Sequence, residues 1–207
     1  MCISLLPGES RSFGHVFLFD TGTSNGNLSG QSRSMSSIDF RPARPYRLVS
    51  ASEDNTVALF EGPPFKFKTT FFRSFFLFTV ILYEGVEGGK QGEFVDQSCK
   101  GNAHDGGVFG LCWSPDDSNI ATASGDKTVK VWNVATKMLL KFVFFLFALL
   151  SIIWTKCGLF SVSLSGFIHC LDLETGSVVK TLRGHNKPIT TLAVSADKST
   201  AFTADFE

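Results

Sequence analysis

The chain has 207 residues, with 19 Lys plus Arg against 19 Asp plus Glu and an apolar fraction of 43%. That is enough for one ordinary domain or a piece of a larger one, and too hydrophobic for disorder. A formal net charge of zero leaves no net basic field to hold a phosphate backbone, so nucleic acid is not an expected partner.

In chain order, Met1 to Glu9 has a short apolar run and no basic n-region, too little for a secretory signal, and the chain reads as cytoplasmic. Gly14 to Asp20 opens on an alternating run that ends in Phe19-Asp20. Comparable runs end in Phe60-Glu61, Tyr83-Glu84, Trp132-Asn133 and Leu171-Asp172, a degenerate Trp-Asp signal. Ser52 to Phe60 overlays Ser124 to Trp132, and Ile38 to Pro42 overlays Leu111 to Pro115. Leu192 to Asp197 continues the series, and Ile152-Ile153-Trp154 lies about midway between the last two, so the unit is about 36 to 41 residues. Within a unit, apolar side chains alternate with period two and turn clusters such as Ser114-Pro115-Asp116-Asp117 punctuate the runs. The five cysteines form no C-x-x-C pair, which argues against a zinc site or disulfide framework.

Short antiparallel strands at this period define propeller blades, and the sequence resembles the WD-repeat propellers. The expected fold is therefore all-β, an incomplete ring of four-stranded antiparallel blades. Its expected divisions are a partial blade over 1–30, a blade over 31–70, a truncated blade over 71–103, a complete blade over 104–141, a blade over 142–185 and a partial blade over 186–207. Both ends cut through a blade. The WD-repeat resemblance implies a buried chain of hydrogen bonds among His104, a strand hydroxyl (Thr122 or Ser124, with Ser124 carried forward), Asp126 and Trp132. That role is structural, which discounts His104 as a catalytic base. His185 is expected to pair with Asp205.

Two Phe-rich runs, Phe71 to Phe78 and Phe142 to Phe147, interrupt the repeat. The longest apolar stretch, Phe142 to Trp154, is too short for a bilayer span of about 20 residues, so no membrane is expected. The runs read as translated non-coding sequence or splice errors, with lineage-specific strands as the alternative.

Five stretches carry a closer resemblance: residues 13–24, 34–68 (including EGPPFKFK), 108–116, 126–136 and 184–190. They are similar to the N-terminal propeller of the actin-interacting branch of the WD-repeat family. The resemblance implies a non-catalytic protein that binds actin filaments and cofilin and promotes disassembly of cofilin-decorated filaments, with no cofactor and no metal. It also implies that Glu53, in a strand turn, and Lys66 and Phe67, in a strand where alternation puts the two Phe on one face and the two Lys on the other, lie on the partner surface. Asp54, in register with Asp126, is the acid expected in the buried network. No Ser-His-Asp order and no phosphate-cradling loop is present. The alternatives are a generic WD-repeat interaction scaffold or a product with no function of its own.

Overall fold

The computed structural model describes residues 2–4, 14–18, 20–41, 43–71, 102–155, 157–195 and 200–205. All regular elements among them are strands, joined in sequence order by antiparallel pairing. The first sheet has three strands: β1 (Cys2–Ser4), β2 (Gly14–Phe17) and β3 (Ser24–Leu28). A four-stranded sheet follows, with β4 (Met35–Arg41), β5 (Tyr46–Ser52), β6 (Val57–Gly62) and β7 (Lys66–Phe71). The next contains β8 (Val108–Trp113), β9 (Asn119–Ser124), β10 (Thr128–Asn133) and β11 (Leu139–Phe144). A further four-stranded sheet has β12 (Leu149–Thr155), β13 (Gly158–Ser163), β14 (Phe167–Asp172) and β15 (Ser177–Arg183). The last pair is β16 (Ile189–Val194) with β17 (Ala201–Asp205).

The three four-stranded sheets and the final pair meet face to face along their first strands, β4 beside β8, β8 beside β12 and β12 beside β16. This is the arc of an unclosed propeller, with β7, β11 and β15 on the outside. Period-two alternation decides what each face buries. Ile120 and Trp132 join Val49, Leu59 and Phe71 in the core between the second and third sheets. Their neighbours Ala121, Val129 and Val131 join Leu149, Leu159 and Leu171 in the core on the other side. A third cluster holds Val16 and Leu28 against Leu48, Phe60 and Phe65.

The Phe-rich run at 142–147 contributes to the outer strand β11, which continues through Phe144 rather than ending at Lys141. The inner strand β12 begins only at Leu149, so Phe142 to Phe144 belong to the sheet before it. Phe71, the first residue of the other run, is fully buried against Trp132, with ring centres 6.2 Å apart. The truncated blade expected over 71–103, with the rest of its Phe-rich run and its Tyr83-Glu84 site, otherwise lies outside the described residues, except 102 and 103. Among the described residues no helix is long and apolar enough to cross a membrane.

Candidate functional site

The third sheet carries a polar network inside an apolar interface. His104 precedes β8, Thr122 lies on β9, Asp126 in the β9–β10 turn and Trp132 on β10. His104 Nδ1 lies 2.8 Å from Asp126 Oδ2, and His104 Nε2 lies 2.7 Å from Thr122 Oγ1. Trp132 Nε1 donates to the same hydroxyl at 2.9 Å. Burial is the main cause that lowers the His104 pKa, outweighing the nearby Asp126 carboxylate, so the ring is neutral. Burial pushes the Asp126 carboxyl up, but hydrogen bonds from His104, Thr128 and the Asp105 N–H outweigh it and hold the group well below the usual carboxylate range. Nδ1 then carries the proton and donates to Asp126, Nε2 accepts from Thr122, and Thr122 accepts from Trp132. Every member is satisfied.

Ser124 does not belong to this chain. Its hydroxyl donates to the Gly106 and Gly107 carbonyls and accepts from the Asp126 N–H, fixing the loop that holds His104. Register is the reason: Thr122 sits opposite Lys130, two residues before Trp132, deep between the sheets, whereas Ser124 ends β9 at the loop. Lys130, also buried, donates from Nζ to the Ala103 carbonyl at 2.8 Å.

The second sheet repeats the arrangement with other residues. Gln31 stands where His104 does, Ser50 where Thr122 does and Phe60 where Trp132 does. The Ser50 hydroxyl donates to Gln31 Oε1 at 2.6 Å, and Gln31 Nε2 donates to Thr56 Oγ1 at 3.1 Å. Asp54 accepts from the Ser32 N–H at 2.6 Å and the Thr56 N–H at 3.0 Å. Burial raises its pKa, yet these bonds, with those from the two hydroxyls, leave it lowered. Gln31 escaped the sequence reading because no His marks it, although it precedes Ile38 by the same seven residues that separate His104 from Leu111. In the fourth sheet Leu171 and Ser161 take the places of Trp132 and Thr122, and the buried Ser161 hydroxyl has no hydrogen-bond partner. His185 lies 3.1 Å from Asp205 and 2.8 Å from the Thr203 hydroxyl.

The three surface candidates do not form one patch. Glu53 is exposed in the β5–β6 turn, its N–H donating to the Ser34 carbonyl. Lys66 and Phe67 open β7, at the other end of the six-residue β6, which at about 3.3 Å per residue puts them on the order of 20 Å from Glu53. Simple alternation also fails here. Phe65 is buried in the turn, its ring edge-on to Phe40, while Lys66, Phe67 and Lys68 are all exposed. The β6–β7 register slips between Leu59 and Phe60, and this bulge re-aims the start of the strand. Two contacts between sheets also escaped the sequence reading. Asp39 accepts from the Trp113 N–H at 2.9 Å, and Arg41 Nε lies 2.9 Å from Asp117. Asp39, Trp113 and Asp117 border a cleft of about 500 Å³ that also involves Pro115 and Trp154.

Among the described residues no group of three or more His, Cys, Asp or Glu could hold a metal ion. His104 is buried, and its network ties the loop before β8 to β9 and β10, while Asp126 and Thr128 also border a recess of about 370 Å³ with Phe142 and Phe144.

Residues 22–61, 97–133 and 176–206 match the family described as WD domain, G-beta repeat. The chain is 52% identical over 97% of its length to Actin-interacting protein 1 of Caenorhabditis elegans and 44% identical over 97% to that of Drosophila melanogaster. It is 40% identical over 97% to WD repeat-containing protein 1 of Xenopus tropicalis. These alignments cover 37%, 36% and 37% of the respective relatives, so the chain spans about a third of their length.

Proposed function

Because the chain belongs to the WD-domain, G-beta repeat family, we propose that it is an actin-binding WD-repeat protein whose role is to promote the disassembly of cofilin-decorated actin filaments. The observation that carries this reading is the 52% identity, over 97% of the chain, to a protein named for its interaction with actin. Actin filaments and cofilin are its partners, the cytoplasmic actin cytoskeleton is its place, and the work is done by surface contacts rather than catalysis. Glu53, Lys66 and Phe67 belong to that surface, at two separate points of the second sheet. A chain spanning about a third of its relatives carries part of the surface and disassembles filaments weakly by itself.

Co-sedimentation of the 207-residue chain with filaments, with and without cofilin, tests the proposal. Pelleting that rises with cofilin supports it. No affinity in either condition removes the actin reading and leaves a generic WD-repeat scaffold in its place.

A further inference from the structure

The outer end of the second sheet combines an exposed aromatic with an excess of positive charge. Phe67 is 50% exposed, yet its position is fixed. Its ring meets Phe60 edge-on at 5.9 Å and 78°, and a Cβ built on Gly30 would lie 3.3 Å from it. The positive φ of Gly30 disfavours a side chain there and the close approach would crowd one, so the segment after β3 holds the ring from the other side. Lys66 and Lys68 flank Phe67 and are exposed. Arg47 is half-buried on β5, and the Arg44 guanidinium lies 5.8 Å from the centre of the Tyr46 ring. Among the described residues the one carboxylate lining this surface, Glu61, is spanned by Lys68 at 3.3 Å and Arg47 at 3.5 Å, and the hydrogen bond from Lys68, followed by the charges of both, holds its pKa below the usual range. Lys66 and Lys68, with Arg47 reaching the surface through Glu61, therefore outnumber the one carboxylate there in a chain whose total charge is zero.

Pro45, Pro63 and Pro64 wall an open shelf of about 410 Å³ beside Phe67. Prolines carry no N–H and keep a stiff backbone, so the wall is rigid and offers no main-chain donors of its own. Among the described residues β7 has no strand paired on its outer side, where an extended chain could add to the sheet.

We propose that this shelf binds an acidic, extended segment of a partner protein, with Phe67 as the apolar anchor and Lys66, Lys68 and Arg47 neutralising its carboxylates. The inference rests on the reading of β7 as a partner-facing strand. A preorganised aromatic in a ring of cations suits a peptide that alternates acids with an apolar residue.

The test immobilises the full chain at low density, so that copies do not meet. The probes are a decamer of Glu with one central Leu, its Lys counterpart, inorganic polyphosphate and a single-stranded DNA decamer. The Glu peptide is expected to bind and the Lys peptide not, with affinity falling about tenfold from 50 to 200 mM salt as screening grows. Lys66→Glu with Lys68→Glu is expected to weaken the Glu peptide at least tenfold, Phe67→Ala about fivefold, and Lys187→Glu, exposed in another loop, not at all. Equal binding of both peptides, or full affinity in the Lys66/Lys68 variant, overturns the proposal. So does binding of polyphosphate or DNA as tight as that of the Glu peptide and lost in the same variants, which marks a general polyanion surface. Filament co-sedimentation is read separately. Peptide binding without filament binding keeps the shelf and removes the actin reading, and the reverse keeps the actin reading and removes the acidic segment.

Discussion

Trp132 and His104 meet on one oxygen, the hydroxyl of Thr122, at 2.9 and 2.7 Å. Replacing that residue by Val keeps its shape and orphans both partners at once. Leaving a buried polar group unpaired costs about 1 to 3 kcal/mol, so Thr122→Val is expected to cost about 2 to 4 kcal/mol in urea unfolding. Thr122→Ser, which keeps the oxygen, is expected to cost about 1 kcal/mol or less. Ser124→Ala, which removes a loop contact rather than the centre of the network, is expected at about 1 kcal/mol. A larger loss for Ser124→Ala than for Thr122→Val would return Ser124 to the centre.

Trp132 is fully buried between two sheets and touches both His104 and Phe71. Trp132→Ala removes that packing and leaves Thr122 without its donor, and is expected to cost about 3 to 5 kcal/mol. Trp132→Phe places there the residue that the second sheet already carries at position 60, and is expected to lose less than half as much. A cost below 1 kcal/mol for the Ala variant would show that the indole is not part of the core.

The repeat and its anchors were legible because a blade needs alternation, turn residues and one large side chain on its third strand, and Phe60, Trp132 and Leu171 supply the last. What escaped the sequence had a different origin. Gln31 replaces a His by hydrogen-bonding capacity rather than by residue type. The bulge at Lys68 breaks alternation without any Gly or Pro inside the strand to announce it. The distance between Glu53 and Lys66 is likewise hidden, because a hairpin strand carries the chain from one end of the sheet to the other within a few residues. Arg41 and Asp117 are paired by the docking of two sheets, a relationship that no single unit's pattern contains.

Acid should destabilise the fold in two stages. Burial lowers the pKa of both His104 and His169, so the unfolded chain takes up protons near pH 6.5 that the folded chain does not. Their contribution is complete above about pH 6.5 and is lost as the pH falls toward the folded values. Asp126 and Asp54, also lowered, hold their contribution above about pH 3.9 and lose it below that. The melting temperature measured from pH 8 to 3 should follow this course. His104→Gln removes one share of the upper stage, leaves that of His169, and flattens the curve between about pH 6.5 and 5. A variant as steep as the parent would mean that His104 is charged in the fold.

β11 presents Leu140, Phe142 and Phe144 at 52%, 53% and 70% exposure, and among the described residues its sheet has no further strand beyond it. An edge this apolar, whose one charged residue, Lys141, is drawn to the Leu173 and Glu174 carbonyls, pairs readily with other chains. The 207-residue chain is expected to bind a hydrophobic dye and to associate with rising concentration in sedimentation velocity. Lys at both 142 and 144 should reduce both signals, since these side chains point away from the two cores. A parent chain that stays monomeric and dye-free at tens of micromolar would contradict this.

Glu53 and Phe67 lie at opposite ends of β6, and that separation gives the filament reading a quantitative signature. Neither side chain belongs to a core: Glu53 is exposed in its turn and Phe67 is half-exposed at the sheet's outer end. Glu53→Ala and Phe67→Ala are therefore each expected to weaken cofilin-dependent co-sedimentation with filaments by about 1 to 2 kcal/mol, if each is a hot spot, with the melting temperature nearly unchanged. Sites farther apart than about 10 Å with no shared partners add to within about 0.5 kcal/mol. The double variant should then lose about 2 to 4 kcal/mol of binding. A double variant no weaker than either single one would mean that the two residues serve one contact through a rearranged blade. If Phe67→Ala lowers the melting temperature and leaves co-sedimentation intact, the ring acts as a strut between Phe60 and Gly30, and the filament contact has to be sought at the Glu53 end of the sheet.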